Sequence, residues 1–227
     1  MDVSDIRKHQ IAFLDRAKAR KEPVVYNVEG IDVVVNPNVF PPATDTKLLV
    51  ANIHTKKGER TLDMSTGSGP SAIVAGLQGA SGVAVDINPD AVKNANQNFK
   101  RLKIQMEAIE SNLFENIPEE KFDQMFANGP FFEGDISDPL DYACHGALTF
   151  VEGVFSGVRK YLKNEGKLLI VIAGWSDLKH FEETAKNNAL TTELVATRKS
   201  DDGERTYSLY EVRVSLEGLD TGNRSRT

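Results

Sequence analysis

The chain has 227 residues, of which 40% are hydrophobic and 26% charged, and its formal net charge is −6. This acidic balance argues against a basic nucleic-acid-binding surface over the whole molecule, and no run reaches the ~20 apolar residues that span a bilayer. The start MDVSDIRKHQ lacks the apolar region of a signal peptide, and the single Cys144 cannot form an internal disulfide. We therefore expect a cytoplasmic protein without a membrane partner.

Residues 1–43 predict an N-terminal extension made of a helix and a β-hairpin. The helix has Ser4 as its candidate cap and ends before Pro23. VVYNV and IDVVV, two β-branched runs around the turn EG, predict the hairpin. The segment from Arg7 to Lys21 is rich in lysine and arginine, and we interpret it as a solvated helix face rather than a polyanion site.

After a Pro-rich segment, a helix is predicted from TDTKLLVANIH, with Thr44 or Asp45 as its cap, and strands and helices then alternate. The predicted strands are RTLDM, GVAVDI, QMEAIE, KFDQMFA and GKLLIVIA, followed by a closing hairpin of TTELVATRK and RTYSLYEVRV. The segment from Asp141 to Leu162 predicts one continuous helix. This alternation predicts an α/β fold over 44–217, with a mostly parallel sheet, an antiparallel C-terminal hairpin, and a frayed tail at 218–227.

The stretch DMSTGSGPSA contains a glycine loop directly between a predicted strand and a predicted helix. Gly67, Gly69 and Ala72 give the pattern G-x-G-x-x-A, and Asp86 ends the next strand about 20 residues later. The glycines allow a ligand to approach the backbone closely, and a carboxylate in that place can accept both hydroxyls of a ribose. The sequence therefore predicts a nucleotide-type ligand.

Two ligand classes fit such a loop, namely dinucleotides and S-adenosylmethionine. Asp63, four residues before Gly67, would place a carboxylate close to a pyrophosphate at a Coulombic cost, whereas it would attract the ammonium and sulfonium of S-adenosylmethionine. Pro70 removes one N–H from the helix N-terminus that an anion would use. Both residues favour S-adenosylmethionine.

These motifs resemble those of the class I S-adenosylmethionine-dependent methyltransferases. TLDMSTGSG is similar to their first motif with Ser65 in place of the first glycine, VAVDINPDAV to their second, and ESNLF to their third with Asn112 in place of an Asp. The resemblance implies a Rossmann-like seven-stranded methyltransferase sheet. Ser65 is the departure that bears on the shape of the loop, because a serine adopts positive φ less readily than glycine does.

ANGPFF at Ala127 to Phe132 resembles the Asn-Pro-Pro-Tyr/Phe motif of methyltransferases acting on planar nitrogens, with Gly129 for the first proline. The similarity is greatest to release-factor glutamine methyltransferases and to relatives that methylate amino groups of bases, which also place a Pro-rich loop and a Thr, here Thr46, ahead of the cofactor domain. The matches cover about residues 24 to 215. The implied cofactor-binding residues are Thr46, Asp63, Ser65, Thr66, Gly67, Gly69, Asp86, Ile87, Asn112, Leu113 and Asn128.

Methyl transfer to a planar nitrogen explains why Asn, Gly, Pro and two phenylalanines stand together. The lone pair of such a nitrogen is conjugated, so accepting its hydrogens on the Asn128 side-chain oxygen and the Gly129 carbonyl would orient the nitrogen and raise its nucleophilicity. We therefore predict Asn128, Gly129 and Pro130 as catalytic. Phe131 or Phe132 is expected to stack on the flat face of the acceptor, and His145 is a further substrate-binding candidate.

The sequence thus predicts an S-adenosylmethionine-dependent nitrogen methyltransferase with no metal site. A protein side chain or a small molecule is the favoured acceptor, and a nucleic acid is less favoured because of the acidic charge. Three alternatives stay open: a small-molecule methyltransferase acting on oxygen with His145 as base, a non-catalytic S-adenosylmethionine-binding protein, and an NAD-dependent oxidoreductase. The oligomeric state is left undetermined.

Overall fold

A computed structural model of the chain describes residues 2–215, so the tail expected at 218–227 lies outside the described part. The helices are α1 (Val3–Ala19), α2 (Thr44–Ala51), α3 (Pro70–Leu77), α4 (Pro89–Leu102), α5 (Ala147–Tyr161) and α6 (Leu178–Asn187). The strands are β1 (Val24–Val28), β2 (Ile31–Val35), β3 (Arg60–Met64), β4 (Ser81–Asp86), β5 (Met106–Glu110), β6 (Phe122–Ala127), β7 (Leu162–Ala173), β8 (Leu190–Lys199) and β9 (Thr206–Val214).

Seven strands form one sheet in the order β5-β4-β3-β6-β7-β9-β8. The first five strands in this order are parallel, whereas β9 pairs antiparallel with both β7 and β8. Buried apolar side chains cover both faces, because the central strands are hydrophobic on both sides. The predicted fold class is confirmed, including the C-terminal antiparallel hairpin.

The order of the strands determines where a ligand can bind. From β3 the chain proceeds through β4 to β5 on one side, and β6 then returns to pair with β3 on the other side. Ligands of open α/β sheets bind at such a switch point, outside the carboxyl ends of the strands. The glycine loop follows β3 and the Asn128 segment follows β6, so both motifs lie at this place.

The N-terminal hairpin and helix pack on different parts of this domain. Asn94 and Asn98 on α4 each donate to the carbonyl of Val34, which fixes the β1–β2 hairpin against α4. Lys18 on α1 forms ion pairs with Asp138 (2.5 Å) and Asp141 (2.6 Å). The basic face of α1 is therefore partly used to attach the helix to the domain.

Several element boundaries differ from the prediction. The prediction of one continuous helix from Asp141 to Leu162 is wrong. A 3-10 helix at Pro139–Ala143 and α5 are separated at Gly146, whose φ is 95°. The predicted caps are also wrong: α1 begins after Asp2 rather than Ser4, and α2 begins after Ala43. In α2 the hydroxyl of Thr46 instead accepts from the Ala43 N–H at 3.3 Å.

Within 2–215, every helix is too short or too polar to cross a bilayer. The same residues contain no group of three or more His, Cys, Asp or Glu side chains arranged to hold a metal ion.

Candidate functional site

A cleft of about 700 Å³ opens at the carboxyl ends of β3, β4 and β6. Its walls come from the glycine loop, the end of β4, the Asn128 segment, α2, and residues of α1 and of the β8–β9 turn. The volume lies in the range of small-molecule and cofactor sites. All the predicted site residues except Gly69 and Phe132 line this one cleft.

The glycine loop has the conformation that its sequence pattern requires. Ser65, Gly67 and Gly69 have φ values of 54°, 57° and 92°. At Gly69 a Cβ atom would lie 2.6 Å from Cε1 of Phe99, so only glycine allows α3 and α4 to approach this closely. Ser65 thus adopts the left-handed conformation that glycine favours, despite its side chain.

Asp86 is held by two backbone donors at the end of β4. Its Oδ2 accepts from Gly67 N–H at 2.8 Å and its Oδ1 from Asn88 N–H at 2.9 Å. Burial raises the pKa of this carboxyl. A carboxylate has about four acceptor positions, so Asp86 keeps capacity for the hydroxyls of a ribose. The neighbouring Ile87 also lines the cleft.

Asp63 is almost fully buried beneath the loop. Its Oδ2 accepts from the Thr66 hydroxyl at 2.6 Å and from Ala72 N–H at 3.2 Å, which ties the loop to α3. Burial raises the pKa of Asp63 to about 7, and the nearby negative charge of Asp86 acts in the same direction. Asp63 therefore has a structural contact within the loop and also faces the cleft.

Asn112 and Leu113 close the cleft beyond β5. The Asn112 amide nitrogen donates to Glu115 Oε1 at 3.0 Å, which leaves the amide oxygen directed elsewhere. Leu113 has φ of 50° and follows directly. An amide oxygen next to an apolar side chain suits the amino group and ring of an adenine.

The polar centre of the cleft is Asn128, at the end of β6. Its Nδ2 donates to Asp45 Oδ2 at 2.8 Å and to the Thr46 hydroxyl at 3.3 Å. Its Oδ1 is buried and has no hydrogen-bond partner. A buried acceptor without a donor is unfavourable, so this oxygen is positioned to receive an N–H from a ligand.

Gly129, Pro130 and Phe131 continue from Asn128 along the wall of the cleft. At Gly129 a Cβ atom would lie only 2.1 Å from Cε1 of Phe150, so the ring of Phe150 occupies the space beside the glycine. The Phe150 ring on α5 therefore leaves no room for a side chain on the residue after Asn128. A proline in this position would require the Phe150 ring to move.

The two phenylalanines have different surroundings. Phe131 lines the large cleft and also contacts Tyr207, with ring centroids 5.7 Å apart. Phe132 stacks on Trp175 at 5.6 Å and lines a separate cavity of about 240 Å³. Of the pair, only Phe131 can contact a ligand in the cleft. Of the two phenylalanines predicted to stack on the acceptor, Phe131 is therefore the remaining candidate.

His145 lies at the rim of the cleft, where its Nδ1 is 2.8 Å from the carbonyl oxygen of Asp135. A ring nitrogen this close to a carbonyl oxygen acts as the donor, which leaves Nε2 as the acceptor of a neutral ring. The same ring packs against Gly134, where a Cβ atom would lie 2.9 Å from the imidazole. His145 thus faces the cleft while fixing its own loop.

Several polar and aromatic cleft residues were not among the predicted site residues, and those that bear on the chemistry include Asp45, Ser68, Phe150 and Arg205. Asp45 stands next to Thr46 and was considered only as a helix cap. The Ser68 hydroxyl is buried without a partner inside the glycine loop. Phe150 and Arg205 lie far from the motifs in sequence, and no local pattern marks them.

These residues can accommodate S-adenosylmethionine. The cleft combines a glycine cradle, the carboxylates of Asp63 and Asp86 beside it, a partnerless hydroxyl at Ser68 and apolar walls. Carboxylates suit the ammonium, the sulfonium and the ribose, while hydroxyl and backbone donors suit the carboxylate of the methionine part. The donor set therefore fits a cationic nucleoside better than a pyrophosphate.

The family model and the relatives that this chain matches are all methyltransferases. The family model for the methyltransferase small domain matches residues 30–200. A Methanocaldococcus jannaschii protein, provisionally named a protein N5-glutamine methyltransferase, is 35% identical over 119 residues, 52% of this chain and 60% of the relative. The release factor glutamine methyltransferase of Agrobacterium fabrum is 30% identical over 178 residues, 70% of this chain and 61% of the relative.

The chain is also similar to two enzymes named as RNA methyltransferases, one of them a solved structure. The tRNA1(Val) (adenine(37)-N6)-methyltransferase of Bacteroides thetaiotaomicron is 33% identical over 138 residues, 57% of this chain and 58% of the relative. The T. thermophilus 16S rRNA N2 G1207 methyltransferase, solved with AdoMet and guanosine, has a TM-score of 0.62 at 19% identity, over 85% of this chain and 50% of that one.

The chain spans about three fifths of the length of the first relatives it matches, while the family model covers most of the chain itself. The structural likeness shows the same fold. The predicted family is confirmed. The chain belongs to the methyltransferase small domain family.

Proposed function

We propose that the protein transfers a methyl group from S-adenosylmethionine to a planar nitrogen of its acceptor. The observation that carries this proposal is the buried, partnerless Oδ1 of Asn128, held toward the cleft by the contacts of Nδ2 with Asp45 and Thr46. An acceptor atom fixed in this way matches the N–H of an amide or aryl amino group.

The cofactor would be held by residues from five segments of the chain. They are Thr46 on α2, Asp63, Ser65, Thr66, Gly67, Ser68 and Gly69 in and before the glycine loop, Asp86 and Ile87 after β4, Asn112 and Leu113 after β5, and Asn128 after β6. When bound, S-adenosylmethionine supplies an electrophilic methyl group on a sulfonium. The carboxylates of Asp63, which is buried, and of Asp86, which is half-buried, would attract its positive charges.

The chain's own contribution to the reaction is to orient the acceptor. Asn128 Oδ1 and the backbone carbonyl of Gly129 would accept the two hydrogens of the nitrogen, as charge develops on it in the transition state. Pro130 limits the motion of that backbone, and Phe131 offers a flat apolar surface to the acceptor group. Positioning of this kind contributes much of the rate in a displacement reaction.

For the acceptor we propose a carboxamide on a protein side chain. The supporting facts are two relatives named as glutamine methyltransferases, one of them matched over 70% of this chain. A nucleobase and a free metabolite are the other outcomes of an acceptor screen. We also propose a cytoplasmic location, which agrees with a chain that carries one cysteine, buried at Cys144.

The decisive experiment compares Asn128→Ala with the parent protein and with Asn116→Ala, an exposed asparagine outside the cleft. Calorimetry measures the affinities for S-adenosylmethionine and NAD, and methyl transfer is followed with labelled cofactor. We expect S-adenosylmethionine to bind and NAD not to bind. Asn128→Ala should lose about a hundredfold or more in kcat while keeping most of its cofactor affinity, and Asn116→Ala should behave as the parent.

The alternatives give different results in the same experiment. Equal turnover by Asn128→Ala would exclude the role of Asn128, and transfer that instead depends on His145 would indicate an oxygen acceptor. Cofactor binding without transfer to any acceptor would indicate a binding protein. Binding of NAD alone, strengthened by Asp63→Asn, would indicate an oxidoreductase.

A further inference from the structure

Three buried side-chain atoms without a hydrogen-bond partner belong to residues of the large cleft, within the described part of the chain. They are Ser68 Oγ in the glycine loop, Asn128 Oδ1, and Arg205 Nε. Ser68 belongs to the cofactor loop. The other two are an acceptor and a donor, and both residues interact with Asp45, Asn128 by a hydrogen bond and Arg205 by its charge. A single ligand that satisfies both atoms would present an N–H and an acceptor atom.

Arg205 is held in a defined position at the end of the β8–β9 turn. Its backbone N–H donates to Ser200 Oγ at 3.0 Å, and its Nη2 donates to Asp202 Oδ2 at 3.1 Å. Asp202 in turn accepts from Glu204 N–H at 3.0 Å and from the Ser200 hydroxyl. The guanidinium is thus held by its own turn and by a hydrogen bond with the Tyr207 side chain, while Nε is buried and has no hydrogen-bond partner.

The surroundings of Arg205 favour a neutral ligand group over an anion. Asp202 already forms an ion pair with the guanidinium, and Asp45 and Asp201 are further carboxylates in the cleft wall. Burial and the negative charge of Asp45 raise the pKa of the nearby Tyr207 hydroxyl to about 12. An added carboxylate or phosphate would meet these negative charges, whereas a carbonyl oxygen would not.

We propose that Arg205 determines acceptor specificity by donating its Nε–H to the carbonyl oxygen of the carboxamide whose nitrogen contacts Asn128. This inference rests on the proposed function and narrows its acceptor. A primary carboxamide carries N–H donors and a carbonyl acceptor on one carbon, which complements the two partnerless atoms. A site built to hydrogen-bond a group discriminates strongly against analogues that lack it.

The direct test is NMR of the full chain labelled with 15N-arginine, in the presence of S-adenosylhomocysteine. The Nε–H signal of Arg205 is the one absent from Arg205→Lys. Titration uses N-acetylglutamine methylamide, its matched analogue N-acetyl-α-aminobutyrate methylamide, which lacks the carboxamide, and adenosine. We expect the signal to move with the glutamine derivative and to stay unchanged with the other two.

Three results would overturn the inference. The signal could stay fixed at high concentrations of the glutamine derivative. It could move equally with the aminobutyrate analogue, which would point to a backbone carbonyl. It could move with adenosine alone, which would replace the carboxamide by a nucleobase.

Kinetics separates this inference from the proposed function. In Arg205→Gln, KM for the glutamine derivative should rise about tenfold or more, with a smaller change in kcat. Arg198→Gln is the matched control, because Arg198 lies on the same hairpin and pairs with Glu29 outside the cleft. An unchanged KM in Arg205→Gln, while Asn128→Ala is inactive, would refute the role of Arg205 alone. Turnover by Asn128→Ala would refute the proposed function.

Discussion

The amide nitrogen of Asn128 donates to the carboxylate of Asp45 over 2.8 Å, and this contact determines which atom of Asn128 faces a ligand. A carboxylate can only accept, so the amide must turn its nitrogen toward Asp45 and its oxygen away. Burial raises the pKa of Asp45, which shows that the carboxylate is placed here at an electrostatic cost. Asp45 is therefore a positioning residue for Asn128.

Removing the carboxylate should release the orientation of Asn128. In Asp45→Ala we expect kcat to fall about ten- to hundredfold, because a charged hydrogen bond of roughly 2 kcal/mol no longer fixes the amide. Asp45→Asn retains an acceptor oxygen and should lose less. Steady-state methyl transfer measures both variants, with Asp5→Ala, an exposed change on α1, as control. Equal kcat in Asp45→Ala and the parent would contradict the positioning role.

Gly129 and Phe150 should be energetically coupled. A methyl group at Gly129 would lie 2.1 Å from the Phe150 ring, so we expect Gly129→Ala to lower the free energy of unfolding by about 1–3 kcal/mol. Combining it with Phe150→Ala removes the clash, and the double variant should be more stable than the sum of the single changes by about 1 kcal/mol. Urea unfolding of the four proteins measures this coupling. Strict additivity would show that the ring moves aside freely.

Features set by adjacent residues could be predicted from the sequence. The glycine loop lies between a buried strand and a helix that begins at Pro70, and Asn88 caps α4 through a 3.0 Å bond from Asp90 N–H. Hydrophobic strand periodicity and turn dipeptides located both hairpins. Each of these signals lies within a few residues of the element it specifies.

Features set by the tertiary arrangement could not be predicted. Asp45 reaches Asn128 across 83 residues of chain, and Arg205 reaches the cleft only because β9 pairs next to β7. The break at Gly146 was missed because it depends on contacts with Phe132, whose carbonyl accepts from Gly146 N–H and Ala147 N–H and whose N–H donates to the Cys144 carbonyl. Such residues join the site only through the pairing of strands that are distant in sequence, which no local sequence pattern indicates.

Ser65 should tolerate glycine better than alanine. Its φ of 54° costs a non-glycine residue about 1–2 kcal/mol, while its hydroxyl lies 2.6 Å from the Met64 carbonyl oxygen and 3.2 Å from that of Asn128. In Ser65→Gly the strain and the hydrogen bond are lost together, so stability should remain close to that of the parent. Ser65→Ala loses the bond and keeps the strain, and should be less stable by about 1 kcal/mol. Chemical denaturation measures the free energies of unfolding of both variants. Equal stability of Ser65→Gly and Ser65→Ala would contradict the expected difference.

Asp63 should make the stability of the ligand-free protein fall as pH rises. Its carboxyl pKa is raised by burial from 3.8 to about 7, so between these values the native state binds more protons than the unfolded state, and the free energy of unfolding decreases with pH. Asp63→Asn keeps an acceptor for Thr66 and Ala72 without the charge. At pH 8 it should be more stable than the parent by on the order of 3 kcal/mol. Urea midpoints from pH 5 to 8 test this, with the exposed Asp32→Asn as control, and equal pH slopes in parent and Asp63→Asn would refute it.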